Sequence, residues 1–540
     1  MILGEAIIQK LKASGIQTIF GVPGGGTSSD LLCTMDEHGI EFILTQHETT
    51  AAIMASVVGE MTQIPGVCIG DLGPGALSFS PGLAYAQLDR APLLLLTDRY
   101  GNENVSYALR QNVSHHDSFS PITKLSSTLS TTNWNSMLNR GLKVALSPHY
   151  GPVHFDIPND IVKQEVDSQI QPFDAQIPKA FPDEKSVQQA VEAIQQAKKP
   201  IIIAGLGINF GTGRQFSLLE AFVSQHHIPI FKTAKAKGAV SDDHPLSLGL
   251  FMGGKLEAPI MENCDLIIAV GLDPVELLPK KWTYPQRIVS ISTTANLEEV
   301  YHADIEVSGN LENGLRSIHE KLADSNSQWQ QESIDSYRQR VIDTLTVPTE
   351  GLTANQVVEV AQQVLPSDTL MTTDVGASKL IVTQLWKSVH PRSFFISNGL
   401  ATMGFSFPAA MALQHLYPEK TVASLTGDGG FMMKLPEIAT AVQNKWPVIM
   451  IVFSDQRLSL MDVKQKSKGY KKSVGNRFTA PNYVALAESF GANGWSADNE
   501  DDLKKAIQAA VKSDNRMPSI IEAKIDPSTY HKQFQAIRDL

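Results

Sequence analysis

Short apolar segments alternate with amphipathic segments along the whole chain. Seven apolar segments, most of them bounded on at least one side by Gly, Pro, Asp or Ser, are predicted to be buried strands. They are Gly66–Gly70, Pro92–Thr97, Ile201–Ala204, Leu266–Val270, Ile288–Ile291, Val422–Leu425 and Val448–Phe453. Between them, stretches such as Ser186–Lys198 place Val187, Val191 and Ile194 on one helical face. This alternation predicts an α/β architecture in which helices cover both sides of parallel sheets.

Two polar segments interrupt the alternation. Residues 164–185 lose the apolar periodicity and are rich in Pro, Gln and Asp, whereas residues 324–352 are polar, partly helical in pattern and end in Pro-Thr-Glu-Gly. A chain of 540 residues is also too long for one hydrophobic core, which favours about three domains. We therefore predict three α/β domains, each built on a parallel sheet, at residues 1–165, 185–325 and 350–530.

Composition and charge narrow the class of protein. With 42% hydrophobic and 19% charged residues, the chain has the composition of an ordinary globular protein. Its net charge of −11 argues against nucleic acid or an acidic membrane as a partner, since both need clustered Lys and Arg. The cysteines Cys33, Cys68 and Cys264 lack metal-ligand spacing, which disfavours zinc or disulfides and favours a cytoplasmic location. The first residues predict a helix rather than a signal peptide.

A glycine-rich turn in the third predicted domain gives the strongest local indication of chemistry. It consists of Gly427, Asp428, Gly429 and Gly430. The turn follows a predicted strand and precedes a helical pattern at residues 435–445. Such a turn presents backbone N–H groups to an anion, and its Asp can hold a divalent cation that bridges phosphates. Taken alone the motif is weak, because ordinary turns use the same residues.

The next predicted strand strengthens that interpretation. It ends at Phe453 and is followed by Asp455, Arg457 and Leu458, and Asp455 lies 27 positions after Asp428. Adjacent parallel strands that are joined by one crossover helix end at the same edge of a sheet, where α/β folds bind ligands. We therefore expect the two carboxylates to meet at one cation.

The first predicted domain offers the other half of such a site. Pro23 and Gly24 lie in a glycine-rich turn, and Glu48 lies where a helix follows the end of a strand. A carboxylate in the first turn of a helix is also common without a catalytic role, because it interacts favourably with the helix dipole. Glu48 on its own therefore supports either interpretation.

Together these motifs resemble those of thiamine-diphosphate-dependent enzymes, in particular the acetolactate synthase and benzaldehyde lyase group. Further segments in matching order extend the resemblance along most of the chain. They are residues 71–76 with Gly73, 88–92, 121–124, 151–158, 244–249, 372–378 with Val375, Gly376, Ala377 and Ser378, and 398–405 with Met403. The resemblance implies a pyrimidine-binding domain first, a central Rossmann-like domain, and a diphosphate-binding domain last. It also implies a homodimer or homotetramer with active sites between subunits.

The resemblance further implies a role for each candidate residue. Mg²⁺ would bind Asp428, the side chain of Asp455 and the backbone carbonyl of Arg457. Glu48 would hydrogen-bond the aminopyrimidine ring and begin the proton relay that activates the cofactor, while Met403 would wedge between the two cofactor rings. Cofactor contacts are expected from Pro23, Gly24, Glu48, Gly73, Val375, Gly376, Ala377, Ser378, Met403, Gly427, Asp428, Gly429, Gly430, Asp455, Arg457 and Leu458.

The chain departs from acetolactate synthases at several of these positions. Asp455 stands where Asn is more usual, and Ala377 and Ser378 stand in place of Gln and His. Residues 463–466 contain no Trp, a residue that favours a particular acceptor in those enzymes. Residues 272–276 differ from the run that is associated with FAD, so FAD is not predicted.

The sequence thus predicts an acetolactate-synthase-like transferase or lyase that acts on a 2-oxo acid such as pyruvate, with Gln111 beside the substrate. A 2-oxo acid decarboxylase and a benzaldehyde-lyase-like enzyme stay open. So does a catalytic role for His115 and His116, which resemble the paired histidines of pyruvate decarboxylase at a different spacing. A catalytically silent relative is disfavoured because Glu48 and Asp428 are both present. A nicotinamide-dependent oxidoreductase is disfavoured because no segment carries the full dinucleotide-binding fingerprint.

Overall fold

Strands of largely apolar sequence form the centres of three parallel sheets in the computed structural model. The structure describes residues 1–167, 170, 173, 180–296, 300–323 and 325–538. Part of the predicted joint at 164–185, and residue 324 of the second joint, lie outside the described residues. Each sheet has six strands, which confirms the predicted α/β class.

The first sheet belongs to the N-terminal part of the chain. Its strands are β1 (Thr18–Val22), β2 (Glu41–Leu44), β3 (Gly66–Gly70), β4 (Leu93–Arg99), β5 (Leu125–Thr128) and β6 (Pro152–Pro158). Its helices are α1 (Leu3–Ala13), α2 (Thr27–His38), α3 (Glu48–Thr62), α4 (Pro74–Leu77), α5 (Ser80–Leu88), α6 (His115–Phe119) and α7 (Trp134–Ala145). The strand order is β2-β1-β3-β4-β6-β5. Every residue of β3 and β6 is buried, because helices cover both faces of a parallel sheet.

The second sheet lies in the middle of the chain. Its strands are β7 (Pro200–Ala204), β8 (Ile230–Lys232), β9 (Ser247–Leu250), β10 (Leu266–Val270), β11 (Arg287–Ser292) and β12 (Ile305–Ser308). Its helices are α8 (Glu184–Gln196), α9 (Arg214–His226), α10 (Ala258–Met261), α11 (Leu311–Lys321) and α12 (Gln331–Leu345). The order β12-β11-β10-β7-β8-β9 is that of a doubly wound fold.

The third sheet contains the Gly-Asp-Gly turn. Its strands are β13 (Leu370–Thr373), β14 (Phe394–Ile396), β15 (Val422–Gly427), β16 (Ile449–Ser454), β17 (Asn493–Ala497) and β18 (Ser519–Lys524). Helices in this part are α13 (Ala354–Val364), α14 (Ala377–Leu385), α15 (Ser406–Leu416), α16 (Asp428–Met432), α17 (Glu437–Gln443), α18 (Ser459–Ser467), α19 (Tyr483–Phe490), α20 (Glu500–Val511) and α21 (Tyr530–Ile537). The order is β14-β13-β15-β16-β18-β17, so β15 and β16 are neighbours.

Packing groups the chain into two compact units. The first unit comprises residues 1–177 together with 399–417 and 436–444, and the second comprises the remainder. In the first unit, α15 packs near the first sheet: the His415 ring meets Phe20 edge-on at 5.9 Å, and His415 hydrogen-bonds Thr18. In sequence, helices α15 and α17 thus lie between strands of the third sheet, but by packing they belong to the first unit.

The apolar pattern located the buried strands closely. Two predicted strands, 66–70 and 266–270, have the predicted bounds, and the helix predicted at 186–198 is α8, two residues earlier at each end. The earlier start follows from Asp183, whose side chain accepts a hydrogen bond from the Ser186 N–H and caps the helix. Among the described residues, no helix has the length and apolar character to cross a membrane.

Candidate active site

Two aspartates meet at the carboxyl edge of the third sheet. Strand β15 pairs with β16 so that Gly427 lies opposite Phe453, and Asp428 and Asp455 follow one residue and two residues beyond that pair. One carboxylate oxygen of Asp428 accepts the backbone N–H groups of Asp455 and Gln456, at 3.1 and 2.7 Å, and the other accepts the Gly429 N–H at 2.8 Å. The two carboxyl-bearing segments are therefore held together, as the spacing predicts.

The electrostatics of this pair fit a divalent cation. Burial raises the pKa of Asp428 to about 6, although backbone N–H groups, among them those of Gln456, Asp455 and Gly429, oppose the shift. Burial also raises the pKa of Asp455 to about 7, and the negative charge of Asp428 adds to the effect. Asp455 is oriented by hydrogen bonds from the Ser459 hydroxyl and the Arg457 N–H. The buried Asp428 and the partly buried Asp455 repel each other and offer the hard oxygen donors that Mg²⁺ prefers.

A second turn lies at the same sheet edge. Strand β13, which pairs with β15, ends at Thr373, and Asp374 follows it. Asp374 accepts hydrogen bonds from the Val375 N–H at 2.7 Å and the Thr426 hydroxyl at 3.4 Å. A Cβ atom on Gly430 would lie 2.7 Å from an Asp374 oxygen, so this approach requires glycine. The turn of residues 374–376 and the turn of residues 427–430 are therefore packed directly against each other.

The remaining predicted residues of the third sheet flank these turns. Gly376 precedes Ala377 and Ser378, which are both buried in the first turn of α14. The Leu458 N–H donates to the carbonyl of Asn476 at 2.7 Å, which ties a later loop to this edge. Sequence analysis missed Asn476, because a residue in a polar loop carries no motif that indicates its partner.

Glu48 lies in the first unit, at the first position of α3. His47 caps the helix by accepting the Thr49 N–H at 3.1 Å. The N–H of Gln46 donates to Glu437 of α17 at 3.2 Å. The side chain of Glu48 is 15% exposed, and a Cβ atom on Gly75 would lie 3.4 Å from one of its oxygens. The carboxylate of Glu48 therefore faces the first turn of α4, directly after the glycine turn that follows β3.

That glycine turn is held by His115. Gly73 has a φ of 62°, and a Cβ atom there would lie 2.6 Å from the carbonyl oxygen of Gln111, so both its conformation and its surroundings require glycine. The Gly73 N–H donates to His115 Nε2 at 3.1 Å, and His115 Nδ1 lies 2.6 Å from Asp156. His116, by contrast, is exposed. The structure thus separates the two histidines into one buried and one surface residue, and Gln111 is exposed beside the turn.

The turn that contains Pro23 and Gly24 packs against two acids that sequence analysis did not single out. The Gly24 N–H donates to Ser28 Oγ at 3.0 Å, and a Cβ atom on Gly24 would overlap the side chain of Asp71. Ser28 donates both its N–H and its hydroxyl to Asp98, at 2.7 and 2.9 Å. Burial raises the pKa of Asp98 to about 7 despite these two hydrogen bonds.

Met403 lies in the part of the chain that packs with the first unit. It is partly buried within residues 399–405. Asp89 accepts the N–H groups of Gly399 and Leu400 at 3.1 and 3.2 Å. A Cβ atom on Gly399 would lie 2.5 Å from the carbonyl oxygen of Leu88. The segment before Met403 is therefore fixed by the end of α5.

Comparison with known protein families identifies the class. The thiamine pyrophosphate enzyme N-terminal TPP binding domain matches residues 1–120, the central domain matches 187–318, and the C-terminal TPP binding domain matches 374–523. The chain belongs to the thiamine pyrophosphate enzyme family and is a thiamine-diphosphate-dependent enzyme of the transferase or lyase type.

Individual relatives place it beside acetolactate synthases. A probable acetolactate synthase large subunit from Methanocaldococcus jannaschii is 30% identical over 97% of this chain and 92% of its own length. The large subunit of acetolactate synthase isozyme 2 from Escherichia coli is 28% identical over 96% of this chain and 95% of its own. An acetolactate synthase from Bacillus subtilis is 26% identical over 97% and 93%. The chain is thus acetolactate-synthase-like along nearly its whole length.

Proposed function

We propose that the chain uses thiamine diphosphate and Mg²⁺ to join or cleave a carbon–carbon bond beside the carbonyl of a 2-oxo acid such as pyruvate. The observation that carries this proposal is the meeting of Asp428 and Asp455 at one sheet edge, with the 374–376 turn packed beside them. When bound, thiamine diphosphate supplies a nucleophilic carbon that adds to carbonyl groups and stabilises negative charge next to them.

The chain's own residues bind and orient the cofactor in this proposal. Asp428, the Asp455 side chain and the Arg457 carbonyl hold Mg²⁺, which neutralises the repulsion between the two carboxylates. The diphosphate contacts come from two turns, namely Val375, Gly376, Ala377 and Ser378, and Gly427, Gly429, Gly430 and Leu458. The pyrimidine side contacts come from Pro23, Gly24, Glu48, Gly73 and Met403. Glu48 holds a proton at the ring nitrogen of the aminopyrimidine, a task that suits a largely buried carboxyl group.

Fewer residues are assigned to the substrate than to the cofactor. Gln111 is exposed next to Gly73 and is proposed to orient a carbonyl or carboxylate of the substrate. The relatives are named acetolactate synthases, which favours acetolactate as the product. A 2-oxo acid decarboxylase or benzaldehyde-lyase-like enzyme is the second candidate, because Ala377, Ser378 and residues 463–466 depart from acetolactate synthases.

Assembly and location complete the proposal. We propose a homodimer or homotetramer with active sites between subunits, since the family resemblance implies that the first domain of one subunit faces the third domain of another. The proposed domain limits are 1–165, 185–325 and 350–530. The three cysteines are free, with Cys68 and Cys264 buried, which is compatible with a reducing cytoplasm.

A proton NMR time course of pyruvate with purified protein, thiamine diphosphate and Mg²⁺ tests the reaction. Acetolactate or acetoin is expected with the native chain and with Glu37→Ala, an exposed-residue control, but not with Glu48→Ala. If acetaldehyde is the only product, the reaction is a decarboxylation and not a carboligation. Unchanged pyruvate with the native chain would contradict pyruvate as the substrate.

A further inference from the structure

A buried hydrogen-bond chain links β6 to the glycine turn beside Glu48. Asp156 of β6 lies 2.6 Å from Nδ1 of His115, and Nε2 of His115 lies 3.1 Å from the N–H of Gly73. The side chain of His115 is only 4% exposed. Because the Gly73 N–H donates, Nε2 must carry a lone pair, so the imidazole proton is on Nδ1 and is donated to Asp156.

The ionised carboxylate of Asp156 lies at one end of this hydrogen-bond chain. Burial alone would raise the pKa of Asp156, but hydrogen bonds from His115 and His154 outweigh it, and the pKa lies below its usual range. The Thr97 hydroxyl donates to the same oxygen at 2.8 Å and lies 2.7 Å from His154 Nε2. The other ring nitrogen of His154 lies 2.9 Å from the Ser126 hydroxyl. Each of these polar groups therefore has a hydrogen-bond partner. Asp156 remains ionised and orients His115.

The other end of the hydrogen-bond chain reaches the glycine turn next to Gln111 and Glu48, the two candidate catalytic residues. Gly73, which precedes α4, lies beside the backbone of Gln111, and Gly75, in the first turn of α4, lies beside the carboxylate of Glu48. A Cβ atom on Gly73 would lie 2.6 Å from the Gln111 carbonyl oxygen, so the turn is closely packed on that side. The position of the turn against Glu48 therefore depends on the hydrogen bond from Gly73 to His115.

We propose that His115 is a positioning residue for proton transfer by Glu48. Both ring nitrogens of His115 are engaged and the ring is buried, so it acts through Gly73 to Gly75 rather than on the substrate. This inference rests on the proposed function of Glu48. Loss of the His115 acceptor frees the turn, and a carboxyl group misplaced by a fraction of an ångström transfers its proton poorly.

The test compares His115→Leu, His115→Gln and the adjacent surface control His116→Leu. Amide hydrogen exchange of the peptide that contains Gly73, in the protein without cofactor, is expected to be about tenfold or more faster in His115→Leu. In protein saturated with thiamine diphosphate and Mg²⁺, deuterium exchange at the cofactor's C2 position is expected to slow by about 10- to 100-fold. The Gln variant restores an acceptor and a donor, so both rates are expected within about threefold of the native protein's, as in His116→Leu.

Glu48→Gln is measured in parallel to separate the two claims. If C2 exchange is unchanged in Glu48→Gln, the proposed role of Glu48 fails. If it slows in Glu48→Gln but stays at the native rate in His115→Leu, the positioning role of His115 is overturned. Should His115→Leu not fold, Asp156→Asn replaces it: fast Gly73 exchange with slow C2 exchange supports the inference, and native rates for both contradict it.

Discussion

A buried cluster of three charges in the second unit gives a quantitative test of the fold. Asp242 lies between two lysines, with its oxygens 2.8 Å from Lys232 Nζ and 3.0 Å from Lys237 Nζ. The Asp242 side chain also accepts the Ser388 N–H at 2.9 Å, which joins the central sheet's part of the chain to the third sheet's part. Exposure is 7% for Asp242, 0% for Lys232 and 2% for Lys237, so water cannot replace the carboxylate.

The substitution Asp242→Ala leaves two ammonium groups buried without a counter-charge. Breaking a buried pair in this way costs about 3–5 kcal/mol of unfolding free energy. Burial alone would raise the pKa of Asp242, but the two lysines outweigh it and hold the pKa below its usual range. The stabilisation is therefore present above about pH 4, the pKa of an unfolded aspartate, and is lost as the pH falls further.

The neighbouring residue Asp243 provides the matched control. Its pair with Lys387 spans 3.0 Å, but the two side chains are 59% and 53% exposed, and such surface pairs contribute about 0–1 kcal/mol. Urea-induced unfolding of the native chain, Asp242→Ala and Asp243→Ala at pH 7, followed by tryptophan fluorescence and circular dichroism, measures both effects. Equal destabilisation by the two substitutions would refute the reasoning.

Three further substitutions test the environments of site residues. Asp98→Asn removes a carboxyl group whose pKa is raised to about 7 by burial. The contribution of Asp98 to the free energy of unfolding is fully present below about pH 4 and is lost as the pH rises through 7. The melting temperature of Asp98→Asn relative to the native chain should therefore rise between pH 5 and 8, by the equivalent of about 1–3 kcal/mol. Gly73→Ala, at φ 62° and against the Gln111 carbonyl, should cost about 2 kcal/mol or more by thermal unfolding, whereas Gly25→Ala meets no atom within 4 Å and should be near neutral. Asp455→Ala should weaken Mg²⁺ binding by about tenfold or more in a titration at fixed thiamine diphosphate.

The apolar pattern predicted seven of the eighteen strands of the described residues, because buried parallel strands are continuous apolar runs. β3 and β10, with every residue buried, were located to the residue. The edge strand β5 was not predicted: each of its four residues, Leu125–Thr128, is only partly buried, so no apolar run distinguishes it from a loop. Pattern therefore predicts the centre of each sheet better than its edges.

The candidate site was predictable where its residues lie at strand ends along one segment. Asp428 and Asp455 follow neighbouring strands, so spacing alone placed them together. Asp156, the partner of His115, lies 41 residues away on β6, and the local sequence does not indicate that β6 pairs with β4 in the sheet. The contact of Asp89 with Gly399 spans 310 residues and depends on how α5 packs. Such contacts are set by tertiary packing, and no local pattern encodes them.

Proton exchange at C2 of bound thiamine diphosphate tests the central claim most directly. With Mg²⁺ present, the native chain is expected to exchange this proton for deuterium rapidly. Glu48→Gln is expected to bind the cofactor with an affinity within about threefold of native and to exchange at least about 100-fold more slowly, since a positioned acid or base contributes that much. Equal exchange rates in the two proteins, at equal occupancy by the cofactor, would contradict the assignment of Glu48 as the proton-transferring residue.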